Sequence, residues 1–309
     1  LVNAVIQYLL LIYVAKFKPY FHFNRDDNKE LIRFCLPLFG MTVMNFLHRK
    51  ASNLFTGIVL GPASFALLAA AHKGELVINQ VTMSSINTMV VPSFSRVEDK
   101  TKLGGLYVKM VSITAIIVLP IFLGLAAIAD PFITVAFGEK FAPSAEFMTI
   151  SAFGMIPSVV AWFLPNLLIA NGKTKEAFNL TLLNIVSSVF VAGATIWFGV
   201  KIMLISVVVS AFVLLPVRLW IVDRHIRISK TDLFKAIFPS IFASLSMFTF
   251  LILIKERLAT YLSNDIFLLV GLVALGGVTF VLVLFLFFGK FAVATSKELT
   301  SMLFKKAKN

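Results

Sequence analysis

Residues 266–288 read IFLLVGLVALGGVTFVLVLFLFF, a run without a single charged side chain. As a helix, such a run crosses the roughly 30 Å hydrocarbon layer of a bilayer, which takes about 20 apolar residues. The block at 111–129, VSITAIIVLPIFLGLAAIA, has the same character. The rest of the chain agrees: 59% of its 309 residues are hydrophobic and 14% charged, where a soluble domain is about 25% charged. The expected fold is all-α, a polytopic membrane helical bundle.

Blocks and their interruptions mark about nine transmembrane helices, at 1–16, 31–60, 63–93, 103–129, 146–170, 176–199, 203–223, 234–254 and 265–289. The breaks carry helix-stop chemistry: Gly61-Pro62, Asp130-Pro131 and Asn171-Gly172-Lys173. The first residue is Leu and the first segment, LVNAVIQYLLLIYVA, is already apolar. The expectation is that the natural beginning is absent. The one cysteine, Cys35, lies within an apolar block, so no internal disulfide forms and cysteine usage says nothing of compartment.

Orientation comes from lysine and arginine. Alternate connections hold Lys16, Lys18, Arg25, Lys29 and Arg33, then Arg96, Lys100 and Lys102, then Lys173 and Lys175, then Arg224, Arg227, Lys230 and Lys235. The C-terminal stretch adds Lys290, Lys297, Lys305, Lys306 and Lys308, which makes nineteen. The opposite connections hold four: Lys140, Lys201, Lys255 and Arg257. The positive-inside rule places the first set and the C-terminus in the cytoplasm. The net charge of +13 is therefore a topology signal. Nucleic acid is not an expected partner, because that needs bases gathered on a soluble face, and the connections are too short to form one.

Within MNFLHRKASNLFTG, Met44 to Gly57, His48, Arg49 and Lys50 stand in a predicted span. A tight turn at Gly61-Pro62 makes 31–60 and 63–93 antiparallel neighbours. Residues whose numbers sum to about 123 then share a depth, which pairs Arg49 with Glu75 and Lys50 with Lys73. Both levels lie roughly 16 Å from the turn, near the middle of the bilayer. Each charge there costs about 2.5 kcal/mol or more, so it needs a partner or a wet cavity. One carboxylate does not neutralise three bases, and the cluster is expected to meet an anion. Asn45, Asn53, Asn79 and Gln80 lie on the same two helices; such residues either line a wet path or join helices by hydrogen bonds. Lys109 and Arg218 lie near expected cytoplasmic helix ends, where a long side chain reaches the headgroups.

Enzyme chemistry is not expected. The four histidines show no metal-ligand spacing, the outward connections offer little beyond Asp130, Glu139 and Asp265, and there is no glycine-rich phosphate loop. No metal and no cofactor is implied.

With these residues in view, the chain resembles the polysaccharide-lipid flippases of the multidrug/oligosaccharidyl-lipid/polysaccharide exporter (MOP) superfamily, the carriers of O-antigen and exopolysaccharide repeat units. FCLPLFG (34–40) looks like the start of that family's seventh helix. HRKASNLFTGIVLGPASFALLAAAHK (48–73) looks like its second half, the turn and the next helix. VVPSFSRVEDKTKL (90–103), FITVAFGEKFAPSAEFMTI (132–150) and LLIANGKTKEAFN (167–179) follow in the family's order.

The resemblance implies the second half of a two-bundle transporter of the MOP and multidrug-exporter kind. Residues 1–16 would be a remnant of a first-bundle helix and 17–30 a cytoplasmic connection. The second six-helix bundle would span 31–223, an extra C-terminal helix pair 234–289, and a cytoplasmic tail 290–309. The cargo implied is a polyprenyl-pyrophosphate-linked oligosaccharide, flipped across the bacterial inner membrane by alternating access, with membrane lipids and a polysaccharide polymerase as partners. Arg49 matches a position where family members often carry arginine, and Lys73 a basic position after the turn. The residue before Arg49 is frequently acidic in the family and is His48 here. Arg49 is then the diphosphate contact, with Lys50 and Lys73 as supporting charge. Glu75 and His48 would orient the site or carry a coupling H+ or Na+. The alternatives are a multidrug extruder, a peptidoglycan-precursor lipid flippase of the same superfamily, and a membrane polysaccharide polymerase or ligase.

Overall fold

The computed structural model describes Ile6, Leu10 and residues 25–95, 100–262 and 265–305; within these, the side chains of residues 25–27, 49–55, 77, 81, 83–93, 95, 100, 101, 294 and 296–305 lie outside the description. The expected span 1–16, apart from Ile6 and Leu10, and most of the connection 17–30 fall outside it too. The described residues are almost entirely helical and contain no strand.

The first helical run, Arg25–Ser95, is broken at Gly61 (φ 79°, ψ 167°). That conformation is open in practice only to glycine, and Pro62 then starts a new helix without needing an N–H partner. The run therefore forms two helices, α1 (25–60) and α2 (62–95). A Cβ on Gly57 would sit 3.8 Å from the Phe65 ring. Eight residues along one straight helix are about 12 Å apart, so the chain folds back on itself at Gly61, as the Gly-Pro pair predicts.

The remaining helices are α3 (Lys100–Ala127), α4 (Ala129–Phe137), α5 (Ser144–Phe153), α6 (Met155–Ala161), α7 (Leu164–Ala170), α8 (Thr174–Thr195), α9 (Val200–Asp223), α10 (Lys230–Tyr261) and α11 (Asp265–Lys305). Helices α5 to α7 fill the expected span 146–170, interrupted near Gly154 and Trp162. Seven described helices are long and apolar enough to cross a membrane, which makes this a multi-pass membrane protein. Helix α2 is not among the seven; His72, Lys73, Glu75, Asn79 and Gln80 lower its hydropathy.

Helix α3 is the hub. Tyr107, Val111, Ala115, Val118, Leu119 and Phe122 are all at 1% exposure or less, and the Tyr107 hydroxyl donates to the Val160 carbonyl of α6 at 2.8 Å. Replacing Tyr107 with Phe is expected to lower stability by about 1 kcal/mol, the net worth of one such bond plus an orphaned carbonyl; thermal unfolding of the purified protein measures it. Helix α10 packs on α3 and α11, with Ala243 and Met247 in the apolar cluster they share; Ser240, Ala243 and Ser244, buried along α10, are small residues that permit close approach. The C-terminal pair α10–α11 is thus seated on α3 rather than standing apart from the bundle.

Two expectations are corrected. Helix α11 does not stop at 289: it changes direction at Phe288 (φ −133°, ψ 36°) and continues as helix to Lys305. Ala292 and Thr295 are buried, because α10, running antiparallel, extends far enough to cover them. Arg218 does not reach for the headgroups. Its side chain is 7% exposed and Nη2 donates to Asn184 Oδ1 of α8 at 2.5 Å, while Nε is buried without a partner. Side chains on a helix lean toward its N-terminus, and for α9 that direction leads away from the nearer end. Asn184→Leu, which strands the guanidinium, is therefore expected to destabilise by about 2 kcal/mol, more than the apolar swap Arg218→Met. Paired melting curves of the two variants check the order.

The two ends expected from the charge count are two ends of the structure. At one, Lys201 pairs with Glu146 at 2.5 Å and Lys255 with Asp130. At the other, the connection 224–229 packs on the start of α3: a Cβ on Gly104 would lie 2.0 Å from the Arg227 carbonyl oxygen, and Ile226 and Ile228 join the core with Leu103.

Candidate functional site

The α1–α2 hairpin carries every residue expected to bind the cargo or couple its movement. Helix α1 packs on α8 along one face: a Cβ on Gly40 would lie 2.9 Å from the Phe178 ring, and Thr181 Oγ1 lies 3.3 Å from Met41 Sδ. Near the other end, Val59 and Leu60 share an apolar cluster with Ile196 and Val200, so α1 and α8 run parallel. Beside this packed face, Thr42, Asn45, Arg49, Asn53 and Thr56 recur every three or four residues. On an unbroken helix these positions form one stripe, and it places Arg49 at the centre of a polar line. The Asn45 side chain is exposed and its Nδ2 donates to the Met41 carbonyl at 2.8 Å, a bond within its own helix. His48 is half-buried. The side chains of Arg49, Lys50 and Asn53 lie outside the described residues. The position of Lys50 falls in line with the exposed Phe39 and Phe46.

Helix α2 divides the other candidates between two faces. Leu68, Ala71, Gly74 and Ile78 form its packed stripe. A Cβ on Gly74 would meet Phe132 of α4 at 3.0 Å and Met148 Sδ of α5 at 3.4 Å. Glu75 belongs to this stripe and is half-buried, with Oε1 buried and without a hydrogen-bond partner. Asn79, one turn on, is half-buried and its Oδ1 is likewise buried and unpartnered. Lys73 and Gln80 are exposed, and two residues of helix turn Lys73 about 160° away from Glu75. Lys73 and Glu75 are thus on opposite faces of α2, while the side chains of Arg49 and Lys50, the other members of the expected cluster, lie outside the description. Lys73 is exposed at the outside of the bundle, and the Glu75 carboxyl is half-buried on the other face of the helix. The expected partner of Glu75, Arg49, has a side chain outside the described residues.

One residue escaped the sequence reading altogether. Ser151 of α5 has a buried, unpartnered Oγ, and it follows Met148, the neighbour of Gly74, by one turn. No motif in the sequence marks it.

Three comparisons bear on this arrangement. Residues 1–146 match the family described as polysaccharide biosynthesis protein. The chain is 22% identical over 294 residues to the succinoglycan biosynthesis transport protein ExoT of Rhizobium meliloti (strain 1021), covering 92% of this chain and 58% of that one. It is 28% identical over 143 residues to the lipopolysaccharide biosynthesis protein WzxC of Escherichia coli (strain K12), covering 45% of this chain and 29% of that one. In fold it resembles the lipid II flippase MurJ in its inward closed conformation, with a TM-score of 0.67 at 14% identity over 92% of this chain and 60% of that one. The chain thus spans about 60% of the length of the proteins it matches most fully. The resemblance carried by its own motifs, to the polysaccharide-biosynthesis transporters of the MOP type, is the resemblance these comparisons find.

Proposed function

We propose that this chain is part of a flippase that moves polyprenyl-pyrophosphate-linked oligosaccharide repeat units from the cytoplasmic to the outer leaflet of the bacterial inner membrane, for cell-surface polysaccharide synthesis. The observation that carries the proposal is the similarity of 92% of the chain to a polysaccharide transport protein, joined to a run of basic positions on two adjacent helices. Such a cargo has about two negative charges and a sugar head that hydrocarbon rejects. Basic side chains at mid-membrane replace its hydration with charge-assisted hydrogen bonds, and arginine does so in a planar fork. Arg49, on the polar stripe of α1, is the diphosphate contact in this reading; Lys50 and Lys73 supply further positive charge. Asn45 and Asn53, on the same stripe, and Gln80 are placed to meet sugar hydroxyls.

With the lysine-rich end in the cytoplasm, the C-terminus lies there also. The inward-negative potential then favours outward movement of an anion by about 2.3 kcal/mol per charge per 100 mV. Alternating access by the two-bundle transporter performs the step, and the polyprenyl tail stays in lipid. A polysaccharide polymerase is the natural receiver of the product. Reaction chemistry is not part of this role.

Deleting the complete gene is expected to strand lipid-linked repeat units on the inner leaflet and to strip polymer from the cell surface. Unchanged surface polymer together with a new sensitivity to cationic drugs would overturn the proposal in favour of a drug extruder. Loss of peptidoglycan synthesis would do so in favour of a peptidoglycan-precursor flippase.

A further inference from the structure

A guanidinium buried between membrane-spanning helices needs a counter-charge, because an unpaired charge there is costly. Arg218 of α9 is 7% exposed. Its partner among the described residues is neutral: Nη2 donates to Asn184 Oδ1 of α8 at 2.5 Å, and Nε is buried with no acceptor.

Depth adds to the cost. Asn184 lies ten residues into α8, which starts at Thr174. That is about 15 Å along the axis, halfway through a hydrocarbon layer of roughly 30 Å. Apolar side chains close the seam around the pair: Leu180, one turn before Asn184, is 3% exposed, and Val222, one turn after Arg218, is fully buried.

The carboxylates of these helices are engaged or distant. Glu176 of α8 is eight residues from Asn184, about 12 Å along the helix. Asp223 of α9 lies toward the end from which the Arg218 side chain leans away, and its Oδ1 accepts from the Ile228 N–H at 2.9 Å. Of the helices packed on α9, α5 carries Glu146, which pairs with Lys201 at the opposite end of α9, and α6 and α7 carry no acid. Among the described residues no carboxylate is paired with Arg218.

The wall of the seam is open at the amide. Asn184 is exposed although Leu180 and Ile185 beside it are buried. With Oδ1 taken by Arg218, its Nδ2 remains to donate at this opening. Charge and size then decide the ligand. One guanidinium balances one negative charge, whereas a dianion would leave a net negative charge in a low-dielectric site. Arg218 is almost fully buried, so the opening admits a small ion and not a phosphorylated sugar head.

We propose that Arg218 and Asn184 form a binding site for a small monovalent inorganic anion, chloride, in the seam between α8 and α9. The anion takes donors alone, which the guanidinium and the Asn184 Nδ2 group supply. It neutralises the buried charge and ties the two helices together. The site involves neither helix of the α1–α2 hairpin and is independent of the cargo.

The test is thermal unfolding of the purified full-length protein in sodium chloride and in sodium gluconate at equal ionic strength, without any lipid-linked substrate, together with binding of radioactive chloride. Chloride well above its dissociation constant is expected to raise the melting temperature of wild type by about 5 °C, and radioactive chloride should bind saturably. Arg218→Met should lose both effects. Asn184→Asp gives the guanidinium an internal carboxylate; it should also lose both, and in gluconate it should melt above wild type. That variant carries the test if Arg218→Met does not fold. Equal melting temperatures of wild type in the two salts, or a chloride effect undiminished in either variant, overturns the site. Stabilisation by pyrophosphate in place of chloride, lost in Arg218→Met, overturns it as well and gives Arg218 to the cargo's diphosphate. Because no cargo is present, absence of chloride binding leaves the flippase reading standing.

Discussion

Gly104→Ala is expected to remove most of the folded protein from the membrane. The new Cβ would stand 2.0 Å from the Arg227 carbonyl oxygen and 3.2 Å from its carbon, inside any attainable van der Waals contact. The obstacle is backbone, so no rotamer change relieves it. Either the connection 224–229 or the start of α3 must move. That connection is anchored: the Ile228 N–H donates to Asp223 Oδ1 at 2.9 Å, and Ile226 and Ile228 are buried at 1% and 6% exposure. Moving it uncovers two isoleucines and breaks a cap, a loss of about 4 kcal/mol or more. A small membrane protein has a margin of about 5–15 kcal/mol, so the surviving fraction falls steeply. The neighbouring Gly105 meets nothing within 4 Å and its alanine variant should accumulate normally. Immunoblots of membranes carrying each variant give the comparison.

Why some features were legible in the sequence and others not follows from the range of the interactions involved. Span 265–289 is visible because hydropathy is a property of consecutive residues. The reversal at Gly61 is visible because its conformation and the Pro62 helix start are demands on two adjacent residues. The alternation of the connections between two ends is visible because each apolar block long enough to span a membrane moves the chain from one end to the other. By contrast, the burial of Arg218 depends on Asn184, 34 positions away, and no local pattern reveals that pairing. Helix continues beyond Phe288 because α10 covers Ala292 and Thr295, although the lysines and hydroxyls there resemble a polar tail.

The site divides in the same way. Depth within the hairpin is expected from counting residues away from a turn, and the Gly57–Phe65 approach shows that the two halves fold back on each other there. The direction in which a side chain points depends on which neighbours pack against the helix. Lys73 and Glu75, two residues apart, therefore share a depth yet take opposite faces of α2.

Arg49→Ala is expected to abolish export while leaving the protein in the membrane. Arg49 stands on the polar stripe of α1, and its truncation is expected to leave the membrane level of the protein unchanged. A bidentate guanidinium–diphosphate contact in a low-dielectric site is worth several kcal/mol, and about 3 kcal/mol corresponds to more than a hundredfold in rate. Arg49→Lys retains the charge and loses the fork, and should recover part of the activity. Lys73→Ala, which removes one supporting charge, should reduce export without ending it.

The most direct measurement of the central claim takes the complete gene, deletes it in its host, and restores either wild type or Arg49→Ala at equal protein level. Polyprenyl-pyrophosphate-linked repeat units on the inner leaflet and polymer at the cell surface are then quantified. The flippase account predicts that wild type clears the inner-leaflet lipids and restores surface polymer, whereas Arg49→Ala does neither. Full restoration of both by Arg49→Ala would contradict the anion site, and absence of any change on deletion would contradict the flippase itself.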